Sequence, residues 1–192
     1  MAIALAITAA VVSGAIGWRV AQPTVPGGDS VDVEFLHDMI GHHQHAIALA
    51  TTYRGRGDDR FLGHVAGDVL LGQAAEVGRM NQILDGWNRL DDVDPEQAMG
   101  WTGHPVATAA MPGMVAPDDL ERITSLSGRE LDDTFSRLLI AHHRGGIEMA
   151  DAAAELADTG TVRTLAQAAA RAQRGEVRDL ERRRAVLGLP PV

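Results

Sequence analysis

At 192 residues, the chain suits one ordinary domain with an appendage. Hydrophobic residues make up 45% and charged residues 22%, which excludes a disordered chain, and with 4% aromatics the core must be built mostly from Ala, Leu, Val and Ile. A net charge of -9 argues against a nucleic-acid partner, and the absence of cysteine excludes disulfides and thiolate sites, leaving His, Met and carboxylate as the only metal ligands.

The first element is apolar. Residues 2–18 (AIALAITAAVVSGAIGW) carry no charge, and extended to Val20 as a helix they span roughly 28 Å. Residues 1–22 are read as a signal peptide or membrane anchor, the chain's one expected contact with a membrane. Residues 23–29, rich in Pro and Gly, are read as a linker. The remainder is therefore expected outside the cytoplasm: secreted, periplasmic, or anchored and facing outward.

An internal repeat follows. At an offset of 100 residues, DVEFLHDMIGHHQHAIALA (32–50) lies over DDTFSRLLIAHHRGGIEMA (132–150), and Asp32, Phe35, Ile40, His42, His43, Ile47 and Ala50 all recur. The register continues without a gap, so that Asp58, Ala66, Gln73, Glu76 and Val77 match Asp158, Ala166, Gln173, Glu176 and Val177. Each unit reads as a helical hairpin. Helices are expected from about Ser30 to Arg54 and Asp59 to Asn88, and again from about Ser127 to Ala157 and Thr161 to Leu187. Ser127 and Glu130 have capping-box spacing. Residues 89–126, with Pro95, Pro105, Pro112 and Pro117, read as a crossover with a short helix after Pro117. The expected fold is all-α. Residues 30–188 form a duplicated four-helix bundle of two tandem hairpins (30–88 and 127–188), preceded by the N-terminal hydrophobic helix. The run Arg182–Arg184 reads as a solvated helix end.

Helical periodicity sets which side chains face the core. With Phe35 at zero, Met39, His42, His43, Ala46, Leu49 and Ala50 fall within about 80° of it, His37, Gln44 and Ala48 fall opposite, toward the surface, and His45 lies at the boundary. The second unit places Phe135, Leu139, His142, His143, Gly146, Met149 and Ala150 on the same face. On the second helices, Gln73 and Glu76, and Gln173 and Glu176, face inward as well. Four imidazoles and two carboxylates inside an apolar bundle need partners. Two solutions are open: a closed hydrogen-bond network, or metal held by imidazoles with the carboxylates as ligands or as acceptors for the other ring nitrogen.

The pattern Asp32, Phe35, Met39, His42, His43, Ala46, Ile47, Ala50, then Gln73 and Glu76, resembles the bacterial "domain of unknown function 305" family. The second copy supplies Asp132, Phe135, His142, His143, Ile147, Met149, Ala150, Gln173 and Glu176, and Met111–Met114 resembles the linker of two-copy members. The resemblance implies a ferritin-like helical bundle, usually exported, some members being periplasmic copper binders. Leu139 stands where the first unit has Met39, and Gly146 replaces the usual alanine, which weights a soft-metal site toward the first unit.

The candidate metal residues are His42, His43, His142, His143, Met39, Glu76, Glu176, His45 and Met149. Imidazole with thioether suits copper, whereas zinc does not need Met, and the one Glu-x-x-His (Glu34–His37) has no repeat, which disfavours di-iron. Met99, His104, Met111 and Met114 form a second soft-ligand group, weighed against simple packing of the crossover. No hydrolytic triad or phosphate loop is apparent, so binding is favoured over catalysis.

Overall fold

The computed structural model describes residues 25–192. The expected apolar segment at 1–22 lies outside the described residues. Among those described, no helix is long and apolar enough to cross a membrane.

Helix α1 (Val31–Tyr53) starts at Ser30, whose hydroxyl accepts from the Val33 amide, with Asp32 and Glu34 in the positive first turn. It stops before Gly55, which takes the left-handed conformation (φ +74°) that reverses the chain. Helix α2 (Arg60–Gly86) is capped by Asp59, which accepts from the Leu62 amide. The crossover is not wholly irregular. It contains a two-residue antiparallel pair, β1 (Gln97–Ala98) with β2 (Val106–Ala107), two 3-10 turns and the short helix α3 (Pro117–Ile123). Helices α4 (Gly128–Leu156) and α5 (Gly160–Val186) form the second hairpin, α5 being capped by Thr159. The Ser127 side chain makes no cap hydrogen bond, and Glu130 reaches Arg122 instead, so the expected capping box is absent.

Helix α1 packs on α2 and α4 on α5, and the two hairpins meet mainly through α1 and α4, while α2 and α5 touch sparsely. Each hairpin completes the turn of the other. Buried Asp132 on α4 accepts from the Tyr53 hydroxyl (2.5 Å) and from the Asp58 and Asp59 amides (3.2 and 3.4 Å) in the α1–α2 turn. Buried Asp32 on α1 accepts from the Asp158 and Thr159 amides (2.8 and 3.0 Å) and the Thr159 hydroxyl in the α4–α5 turn. Two carboxylates thus satisfy helix-start amides that nothing local would satisfy.

The basic run behaves differently from expectation. Arg184 is buried and donates to the Ser136 hydroxyl (2.7 Å) and the Asp133 carbonyl (2.9 Å). Arg183 pairs with Asp59 and stacks over Phe61, leaving Arg182 as the solvated member. Long arginine stems bury easily when their donors find acceptors.

The core divides into two apolar clusters. One holds Leu36, Met39, Met80, Leu84, Met149 and Ala166, and the other Leu49, Tyr53, Leu62, Phe135, Leu139 and Leu180. Along each long helix, the residues between the two clusters are polar: His42 and His43, Gln73, His142 and His143, Gln173.

Candidate metal centre

This polar layer contains most of the expected site residues. His42, His43, His142 and His143 are all 0–1% exposed, whereas Gln44, Arg144 and Ala48 face solvent, as periodicity requires. His42 and His142 stack across the hairpin interface with ring centroids 3.8 Å apart and an interplanar angle of 18°. His43 and His143 lie outside this stack, about 6 Å from their neighbours on the same helix.

Two of the four rings are held by one nitrogen and leave the other idle, and in a third neither nitrogen is hydrogen-bonded. The His43 Nε2–H donates to the Glu76 carboxylate at 2.6 Å, and its Nδ1 has no partner. The His42 Nε2–H donates to the Pro112 carbonyl at 3.1 Å, and its Nδ1 has no partner. His143 Nε2 sits 2.5 Å from Glu176 Oε2 but out of line for a hydrogen bond, and its Nδ1 is also unpartnered. Glu76 and Glu176 are about one-third exposed, so each carboxylate links a buried ring to solvent. Gln73 Oε1 and both polar atoms of Gln173 are likewise buried and unpaired. These orphan polar atoms leave the layer with donors and acceptors open to a ligand, ion or water.

His142 differs. Its Nδ1 is 2.9 Å from the Gly113 carbonyl and its Nε2 is 3.1 Å from the His42 carbonyl. Both partners only accept, and a neutral imidazole has one proton to give. Burial, then the neighbouring His143, pushes the His142 imidazolium down to about 3, and burial with the adjacent His142 and His43 pushes His42 well below the ordinary histidine range. Both rings are therefore neutral at physiological pH, the protonation state that binds metals.

The remaining candidates fall into place around this layer. Met39 and Met149 are fully buried in the same apolar cluster. Leu139 and Leu49, their counterparts in the repeat register, lie in the other. Met80, Met99 and Met111 join Met39 and Met149, with Met114 packed against them, so all six methionines of the described residues lie on one side of the histidine layer. This changes the weighting toward the first unit: Leu139 removes a thioether from one side, but Met149 from the second unit supplies one to the cluster that holds Met39. His45 is half-buried, its Nδ1 unpartnered, lining an open cleft with Glu96 and Met114 rather than joining the imidazole stack. His104 is exposed, while Met99 and Met111 are buried in the apolar cluster with Met114 packed against it, the arrangement expected if these methionines pack the crossover onto the bundle. His37, expected at the surface, is half-buried and donates to the Arg89 carbonyl at 2.9 Å.

Among the described residues, no three His, Asp or Glu side chains converge as a ready-made ion cage. The donors fit a soft ion in kind, through Nδ1 lone pairs with thioethers on one side, while their present arrangement is closed. Sequence reasoning missed the crossover carbonyls of Pro112 and Gly113. The available signal was the run of small residues: a Cβ at Gly145 would overlap the Pro112 carbonyl, and one at Gly146 would overlap Gln173 and crowd His42.

The family model described as Domain of unknown function (DUF305) matches residues 32–184. Among solved structures, the chain is similar to a DUF305 protein of Streptomyces coelicolor described as secreted: 31% identity, TM-score 0.79, covering 86% of this chain and 99% of that one. Its fold is also similar to that of CopM solved in a Cu(I)-bound form, at 21% identity and TM-score 0.61 over 81% of this chain and 96% of that one. An uncharacterized protein of Acanthamoeba polyphaga mimivirus is 35% identical over 54 residues, a match that spans 36% of its length.

Proposed function

Because the chain belongs to the domain of unknown function (DUF305) family, we propose that it is an exported or membrane-tethered metal-binding protein, copper first, that buffers, stores or delivers the ion. The observation that carries this reading is the set of three buried, unpartnered Nδ1 atoms on His42, His43 and His143 beside a cluster that gathers the thioethers. An imidazole whose outer nitrogen donates to a carboxylate or carbonyl presents the other as a lone pair, the usual arrangement around a protein-bound metal. Thioethers favour Cu(I) over zinc. The fold similarity to CopM, solved with Cu(I), Cu(II) and silver, supports the same reading. In this reading residues 30–188 act as one ferritin-like bundle built from a duplicated hairpin. His42, His43, His142, His143, Met39 and Met149 are the ligand set, Glu76 and Glu176 the acceptors that orient His43 and His143, and His45 a peripheral donor. Zinc and iron rank below copper. The uncharged residues 2–18, and the likeness to a protein described as secreted, support a location outside the cytoplasm.

A second reading is favoured by the closed geometry. His43 with Glu76, and His42 with Pro112, already form hydrogen bonds, and no three-ligand cage exists among the described residues. Here the layer is a metal-free polar network in a structural or interaction module. Elemental analysis and Cu(I) titration of the purified protein separate the two. Metal binding predicts bound copper and a ligand-linked rise in melting temperature. It further predicts that His42→Ala with His43→Ala lowers the copper stoichiometry. Unchanged stoichiometry in that double variant would falsify the core site.

A further inference from the structure

The crossover residues Met111–Met114 run as a strap over the imidazole stack. Their backbone occupies ring nitrogens of both repeats, the Pro112 carbonyl at His42 Nε2 (3.1 Å) and the Gly113 carbonyl at His142 Nδ1 (2.9 Å). The seat of the strap is built from glycine. Gly113 has φ +76°, and a Cβ there would strike the carbonyls of Ala141 and His142. A Cβ on Gly145 would strike the Pro112 carbonyl. The strap is anchored on both sides. Upstream, the Met99 amide and the Trp101 indole N–H both donate to Asp38 at 2.8 Å, and downstream Val115 and Ile123 are buried.

The hold on His142 is poor. Two carbonyls compete for the single proton of a neutral ring, so one of them always faces a lone pair. Three of the four layer imidazoles leave Nδ1 uncovered, and His142 alone has it capped by the strap. Resting on the soft-metal reading above, we propose that the Met111–Met114 strap is a displaceable latch that withholds His142 Nδ1 from the site and is released when a soft monovalent cation takes that nitrogen. Release leaves His142 Nε2–H to donate to the His42 carbonyl without competition. The latch carries Met111 and Met114, so its displacement moves thioethers together with the carbonyl that blocks the ring. Occupancy of the buried layer is thereby reported at the surface by the crossover.

The test uses Ag(I), a soft cation without redox chemistry, and hydrogen exchange of the full-length protein. The Met114 amide, which donates to the Met111 carbonyl at 3.1 Å, reports on the strap. Bound Ag(I) should raise its exchange rate at least about five-fold. Gly145→Ala places a good helix former in α4, yet its methyl group meets the Pro112 and Gly113 backbone first and unseats Pro112. That variant should show the fast rate without Ag(I) and little further change with it. If Ag(I) binds while the Met114 rate stays the same or falls, the latch is wrong and the soft-metal reading stands. A Gly145→Ala strap as protected as in the wild type also overturns it. If no Ag(I) binds, the functional reading fails and the latch falls with it.

Discussion

Gly146 shows how much a single atom can decide in this site. The register places it opposite Ala46, but a methyl group at 146 would overlap the Gln173 side chain and crowd the His42 ring. The second unit gives up a side chain so that the first unit's imidazole can stack on His142. Gly146→Ala gains helix propensity of about 1 kcal/mol, while overpacking typically costs about 1–3 kcal/mol. The expected result is a net loss of stability, a melting temperature lower by about 2–6 °C, and, on the metal-binding proposal, a lower affinity for a soft metal. An unchanged or raised melting temperature in calorimetry would show that His42 and Gln173 have room to yield. The direction in which each layer residue faces was legible in the sequence, because a turn of about 100° per residue fixes the angle. The Glu76 acceptor of His43 was legible as an inward-facing carboxylate, but the backbone partners of His42 and His142 were not, because Pro112 and Gly113 are 70 and 29 residues away from the histidines they contact.

At the level of elements, helix bounds were legible to within one or two residues, since Ser30, Asp59, Gly55 and Thr159 carry their own capping and turn chemistry. The capping box at Ser127 had the right spacing and the wrong outcome, because Glu130 finds Arg122. The recurrence of Asp32 and Asp132 was visible, but their role was hidden, since each serves a turn in the opposite hairpin. Removing one should therefore damage a distant element. Asp132→Ala leaves the Tyr53 hydroxyl and the Asp58 and Asp59 amides without their acceptor. An unsatisfied buried group costs about 1–3 kcal/mol, so a total loss of roughly 3 kcal/mol is expected in urea unfolding. Hydrogen exchange should rise most in residues 54–60, in the other hairpin, and a response confined to α4 would contradict the cross-tie.

For the molecule as a whole, the buried imidazoles set the acid limit. His42 and His142 are held neutral by burial and by neighbouring imidazoles, with the folded value of His142 about 3 against about 6.5 for an unfolded histidine. The unfolded chain therefore takes up protons first as pH falls. The stability contributed by the neutral rings is complete above about pH 6.5 and declines steadily toward pH 3. For His142 alone the loss at pH 5 is up to about 2 kcal/mol. Asp38 and Glu34 act the other way, because burial raises their carboxyls, but their window lies nearer the carboxylate range. The urea midpoint should accordingly fall between pH 7.5 and pH 5.0, and an equal or higher midpoint at pH 5.0 would mean that the rings are already charged when folded.

The reciprocal carboxylates also have a consequence for how the chain is made. The Asp58 and Asp59 amides receive their acceptor from a residue 74 and 73 positions later. At a synthesis rate of about 5–20 residues per second, the turn of the first hairpin is made roughly 4–15 s before Asp132. During that interval its turn is unfinished and its histidine face has no second hairpin to cover it. On the proposal that the chain is exported, this delay is useful, because a half that cannot close by itself stays threadable until the whole has crossed.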